Sequence, residues 1–133
     1  MANAVYPKYK EAVIQATSGS ALTGTLKAVL IDLADYTYSS AHDFYDDVSA
    51  GAVGTPGTIG SKTYTNGLLD GADVTFTAVS GDPCEAIIIF LDTGTPSTSR
   101  LVAFLDTGVT GLPVTPNGGD ITITWNASGI IQF

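Results

Sequence analysis

Positive charge is scarce in this chain: 5 Lys and Arg stand against 13 Asp and Glu, a formal net charge of −8 over 133 residues. Lys8, Lys10, Lys27, Lys62 and Arg100 are scattered along it, whereas phosphate backbones are held by clustered cations. That excludes nucleic acid as a partner. Cysteine is limited to Cys84, so no intrachain disulfide can form and folding in a reducing cytoplasm is expected. Cys84 opens an apolar run, where cysteine behaves as a small buried hydrophobe. The single histidine, His42, sits in the distant polar stretch SSAHDF, so no Cys–His nucleophile is indicated. Long apolar runs are missing too. The longest, Ala86 to Leu91, falls far short of the ~20 residues that span a bilayer, which removes a membrane as partner. The N-terminal MANAVYPKYKEA lacks a basic region followed by an apolar core, so no signal peptide is expected.

What remains is an apolar, weakly charged chain. Hydrophobic residues make up 44% and charged residues only 14%, well under the usual quarter. The length suits one domain with one core, taken as 1–133, with 1–20 as an N-terminal arm or short helix. Thr, Ser and Gly replace Lys and Glu, which favours β-structure and extended contact surfaces over a free enzyme. The acids fall mainly at the ends of runs, at Asp32, Asp35, Asp70, Asp73, Asp82 and Asp120, where Asp caps turns.

Periodicity supplies the elements. Pro7 and the Tyr9–Ala16 pattern, with Ala12, Val13 and Ala16 on one side, predict a short helix stopped by Thr17–Ser20. Leu22 and then TLKAVLID, Thr25 to Asp32, read as a buried strand. Ser39 or Ser40 as N-cap, Asp43 in the first turn and Phe44 with Val48 on one face predict a helix over Ala41–Val48. Ser49 to Ser61 reads as a Gly/Pro-rich loop. Lys62–Thr65 and Leu68–Leu69 flank Asn66-Gly67, a tight-turn pair. DVTFTAV alternates Val74, Phe76 and Ala78 against Thr75, Thr77 and Val79. Cys84–Leu91 and Arg100–Leu105 form a hairpin, Gly111–Gly119 a loop, DITITWN another alternating strand, and Ile130–Phe133 a strand tied into a sheet. The sum is an all-β, mainly antiparallel chain, a jelly-roll-like β-sandwich or small barrel with one or two short helices. Leu30, Phe76, Ile88, Phe90, Val102, Phe104, Ile123 and Trp125 are its predicted core.

One near-repeat bears on catalysis. IIIFLDTGTP is followed by VAFLDTGVT, so Asp92-Thr93-Gly94 and Asp106-Thr107-Gly108 both spell the aspartic-protease triplet. A working dyad needs two carboxylates about 3 Å apart. The turn-rich TGTPSTS between the copies makes them successive strands of a hairpin, with the acids at opposite ends, roughly 23 Å apart at ~3.3 Å per residue. A homodimer could pair like with like, but the apolar-apolar-Gly segment such proteases need is poorly imitated by Ser128-Gly129-Ile130-Ile131. Turn chemistry is the preferred reading: Asp and Thr cap, and Gly takes positive φ.

Other motifs are weaker. Asp43, Asp46 and Asp47, and the Asp70-Gly71-Ala72-Asp73 stretch, lack calcium-loop spacing. His42 with Asp43 and Asp46 lacks the ligands zinc needs. Asn126-Ala127-Ser128 matches a glycosylation acceptor only in pattern, and GTPGTIGS lacks the Gly-Lys-Ser/Thr ending of a phosphate loop. No catalytic, cofactor-binding or metal residue is therefore assigned. Aromatics concentrate in the first third, and Tyr6, Tyr9, Tyr36, Tyr38, His42, Phe44 and Tyr45 are the candidate interface, since aromatics are enriched at contacts.

The runs MANAVYPKYKEA, LTGTLKAVLID followed by ADYTYSSAHDF, and LPVTPNGGDITITW resemble a group of small virion proteins of tailed bacteriophages. The ADYTYSSAHDF segment is the most specific part. The resemblance implies a structural protein that decorates and cements the outside of a capsid, made in the host cytoplasm. Its partners would be the major capsid protein, other virion proteins and itself as a small homo-oligomer. A tail or fibre component touching neighbouring virion proteins or a host receptor is the alternative, and a protease through the Asp-Thr-Gly copies a more distant one.

Overall fold

A computed structural model describes residues 3–15 and 24–133. The chain runs β1 (Ala4–Val5), α1 (Pro7–Gln15), β2 (Thr25–Ile31), β3 (Ala52–Thr58), β4 (Thr63–Thr65), β5 (Leu68–Asp70), β6 (Val74–Phe76), β7 (Ala86–Asp92), β8 (Arg100–Leu105), β9 (Ile121–Ile123) and β10 (Ile131–Gln132), with short 3-10 turns between some of them. A five-stranded sheet in the order β1-β8-β7-β2-β3, a three-stranded sheet β10-β5-β4 and a ribbon β6-β9 are antiparallel throughout. The sheets do not close into a barrel, which corrects the barrel half of the expectation.

Composition explains the middle of the sheet. β7, AIIIFLD, lies between β8 and β2 and is buried on both faces until Asp92, which is why it reads as an unbroken apolar run rather than an alternation. On one face, Tyr38 packs against Phe104 and Tyr45 against Phe90. On the other, Gly57 stands opposite Ala28, and a Cβ there would collide with Val74 Cγ1. Gly57 is thus what lets the β6-β9 ribbon lie close on β3. All eight predicted core residues are buried.

Both edges of the large sheet are blunted. β1 pairs with β8 through Ala4–Phe104 and Val5–Ala103, and the 43–45 segment covers the rest of β8, with Leu101 N–H donating to Asp43 and Tyr45 N–H to Ser99. β3 carries a register shift, a positive φ at Gly54 and Pro56, devices that discourage further strand addition.

Several local readings need correction. The segment 49–61 is largely a strand, β3, not a loop, and Val53 and Ile59 are its buried hydrophobic residues. Ala41–Val48 is not a regular helix: Tyr45–Asp47 and Ser49–Gly51 are single 3-10 turns. Asp47 explains the early stop, because its carboxylate accepts the Asp43 and Phe44 N–H groups instead of leaving them to a growing helix. Ala78 adopts φ 50° and is exposed while Val79 turns inward, so the alternation from Val74 holds through Thr77 and breaks at Ala78. In α1 it is Tyr9 that is buried, and Val13 is 54% exposed. Ala16, the Thr17–Ser20 stop and Leu22 lie outside the described residues. The Asn66-Gly67 turn is as expected: both residues have positive φ (52° and 79°) and Thr65 faces Leu68 across it, the two-residue hairpin connection that Asn-Gly favours.

Candidate functional site

Three of the first-third tyrosines, Tyr6, Tyr36 and Tyr38, gather where the N-terminal segment joins the edge of the large sheet at β8. Tyr6 directly follows β1, donates its N–H to the Val102 carbonyl and is fully buried. Its hydroxyl lies 2.8 Å from that of Tyr36, which lies 2.9 Å from His42 Nδ1. The Tyr38 ring stacks at a tilt on Tyr6, 5.1 Å between centroids. The turn at Asp32–Tyr36 delivers Tyr36, whose N–H bonds to the Asp32 carbonyl. Burial pushes the Tyr6 and Tyr36 phenols up, so both stay protonated through the neutral range. Asp47 stands nearby: burial pulls its carboxyl upward, but the N–H groups of Asp43 and Phe44 outweigh this and hold it below the usual range.

This arrangement changes what the seven candidate contact residues can do. Tyr6, Tyr9 and Tyr36 are buried within the chain, so on the folded surface they hold structure rather than face a partner. Tyr38, His42, Phe44 and Tyr45 are half-buried and offer the accessible part. Phe44 carries the Arg100 guanidinium over its ring at 4.3 Å, with Arg100 Nη1 4.0 Å from Asp43 Oδ2. Tyr9 is separate, packing on Phe133 at 5.9 Å between centroids. The cluster was visible in the sequence only as a local density of aromatics. Its hydrogen-bonded chain, spanning Tyr6 to His42, was not.

The two Asp-Thr-Gly copies are both built into turns, the first as a cap and the second as a capped segment. Asp92 Oδ1 accepts the Gly94 N–H at 3.0 Å, and Oδ2 meets Lys27 Nζ at 2.9 Å. The Lys27 contact and then the Gly94 N–H hold its carboxyl below the usual range. Gly94 and Gly108 have φ of 87° and 73°. The second copy is capped from afar: Asn3 Oδ1 accepts the N–H groups of Asp106 and Thr107, and Asn3 Nδ2 donates to the Thr107 carbonyl. Since Leu105 faces Ile87 and Arg100 faces Leu91, the two acids sit at opposite ends of the hairpin, about 20 Å apart at ~3.3 Å per residue.

Cys84 is fully buried, and burial pushes its thiol up to about 11, so it carries no thiolate at neutral pH. One grouping escaped the sequence reading. Asp32, Asp35 and Asp82 bring one carboxylate oxygen each within 4.8 Å of one another. Only the Asp-x-x-Asp spacing of the first pair hinted at it. Asp32 already caps Ala34 N–H at 2.8 Å, and three oxygens fall well short of the roughly 6–8 that calcium takes.

No protein-family model and no curated protein matches the chain.

Proposed function

We propose that this protein is a structural component of a bacteriophage particle that decorates the outside of the capsid and reinforces it. The observation that carries the reading is how the chain uses its most reactive-looking motif. Both Asp-Thr-Gly copies are tied into turns: Asp92 caps the Gly94 N–H and pairs with Lys27, and the Asp106 and Thr107 N–H groups are capped by Asn3. This favours a scaffold over an acid-dyad hydrolase. The sequence resemblance supplies the particle.

Surface chemistry supports it. Exposed positions along β3, β4, β6 and β9 are largely Thr, as at Thr55, Thr58, Thr63, Thr65, Thr75 and Thr122, short neutral side chains that lose little entropy on contact. The blunted sheet edges keep such a surface from uncontrolled strand addition. The net charge of −8 disfavours the inner wall, where packaged phosphate would repel it. Contacts on the shell would come from Tyr38, His42, Phe44 and Tyr45. The test is a heat challenge of particles lacking the protein. Heads that break at lower temperature than complete ones, and recover when purified protein is added, fit the proposal. Heads as robust as complete ones overturn the reinforcing role.

A further inference from the structure

Two Asn-Gly dipeptides occur in the chain, Asn66-Gly67 and Asn117-Gly118. Both are exposed and both glycines have positive φ (79° and 88°), so neither burial nor backbone conformation at glycine separates them. Hydrogen bonding does. At the second pair, the Gly118 N–H donates to the Val79 carbonyl at 2.7 Å, and Asn117 Oδ1 accepts the Gly119 N–H at 2.9 Å. At the first, among the described residues, neither the Gly67 N–H nor the Asn66 side-chain amide is engaged. The bonds there run through the carbonyls: Gln132 Nε2 donates to Asn66 O at 2.8 Å, and Phe133 N–H to Gly67 O at 2.8 Å.

We infer that Asn66 is a self-modification site, converting in the folded protein to aspartate and isoaspartate, and that Asn117 is protected by the fold. The chemistry needs only water and base. Hydroxide removes the Gly67 amide proton, and that nitrogen attacks Asn66 Cγ. The new N–Cγ bond closes a five-membered imide as the Cγ–Nδ2 bond breaks, and the nitrogen leaves as ammonia after taking a proton from water. Water then adds to one of the two imide carbonyls. One opening gives aspartate, and the other gives isoaspartate with the main chain rerouted through Cβ. No oxidation or reduction occurs. Glycine at the next position leaves the attacking nitrogen unhindered, and a free N–H leaves it available.

The same bonds set the consequence. The turn between β4 and β5 is the dock for the C-terminal strand β10, through the two carbonyl bonds above and the Ile131–Leu69 and Gln132–Leu68 pairs. Isoaspartate lengthens the two-residue turn by one backbone carbon and adds a carboxylate beside it. Tight-turn geometry then no longer matches the strands, so β10 loosens.

The experiment incubates the intact folded protein at mildly alkaline pH and follows both peptides by mass spectrometry, with isoaspartate separated chromatographically. A parallel sample in denaturant reports the intrinsic rates. Each hydrogen bond that must open before attack slows reaction by up to roughly tenfold. Asn66 should therefore outpace Asn117 by about tenfold or more in the folded protein, with comparable rates in denaturant. Amide exchange at Phe133 should also quicken in the isoaspartate form. Equal or inverted rates in the folded state would overturn the inference, as would the same rate ratio in denaturant, which would remove the fold as its cause.

Discussion

Tyr36→Phe removes one oxygen from the centre of a buried chain. The Tyr6 hydroxyl, on a fully buried residue, then loses its 2.8 Å partner, while His42, half-buried, can turn to water. Leaving a buried polar group without a partner costs about 1–3 kcal/mol. Tyr6→Phe is milder, since the Tyr36 hydroxyl keeps His42 Nδ1 at 2.9 Å, and loss of one net hydrogen bond is worth about 0.5–1.5 kcal/mol. Replacing both partners by apolar groups of the same shape is nearly neutral, so the two changes must couple. Tyr6→Phe placed in the Tyr36→Phe background should restore stability by about 1 kcal/mol. Urea unfolding followed by the fluorescence of Trp125, 5% exposed in the native state, measures all four proteins. If Tyr6→Phe is the costlier single change, or if the double variant is less stable than Tyr36→Phe alone, the hydroxyl chain is not what holds the N-terminal segment to the sheet.

Gly57→Ala drives a Cβ into Val74 Cγ1, whereas Gly60→Ala meets nothing within 4 Å. The first should lose about 1–3 kcal/mol in the same unfolding assay and the second should be close to neutral. Asn3→Ala removes the three bonds to Asp106 and Thr107. It should speed amide exchange at Tyr6, whose N–H bonds to Val102, with a stability loss of about 1 kcal/mol. The Asp92 carboxyl is held below its ordinary value of 3.8 by Lys27 and the Gly94 N–H. As pH falls the unfolded chain takes up the proton first, so this stabilisation is complete above the ordinary carboxylate range and is lost as pH drops through the lower folded value. Asp92→Asn should flatten that acid limb, and added salt should weaken it in the native protein, since the pair is partly exposed.

The parts of the fold that could be read in advance are those written in one local pattern. The continuous apolar AIIIFL and the alternating Val74/Phe76 and Ile121/Ile123 declare strands, and Asn66-Gly67 declares its turn. β3 stayed hidden because its glycines are required by contacts distant in sequence. Gly57 makes room for Val74 and Gly54 lies under Val79, so packing demands looked like loop composition. The helical spacing of Phe44 and Val48 does not become a helix over 41–48, because Asp47 folds back on the chain and Phe44 bridges to Arg100. For the candidate contact residues, enrichment of Tyr pointed to a surface. Three of the four leading tyrosines instead serve the interior, because the pairing of Tyr6 with Tyr36 depends on β1 docking onto β8.

The central claim concerns place, and imaging of the intact particle tests it most directly. Electron cryomicroscopy of virions, with and without the protein, should give difference density spread over the outer face of the head at the symmetry of the shell. The half-buried Tyr38–Tyr45 segment should be turned toward the capsid subunits. Density confined to the tail, or none on the particle at all, would contradict the account.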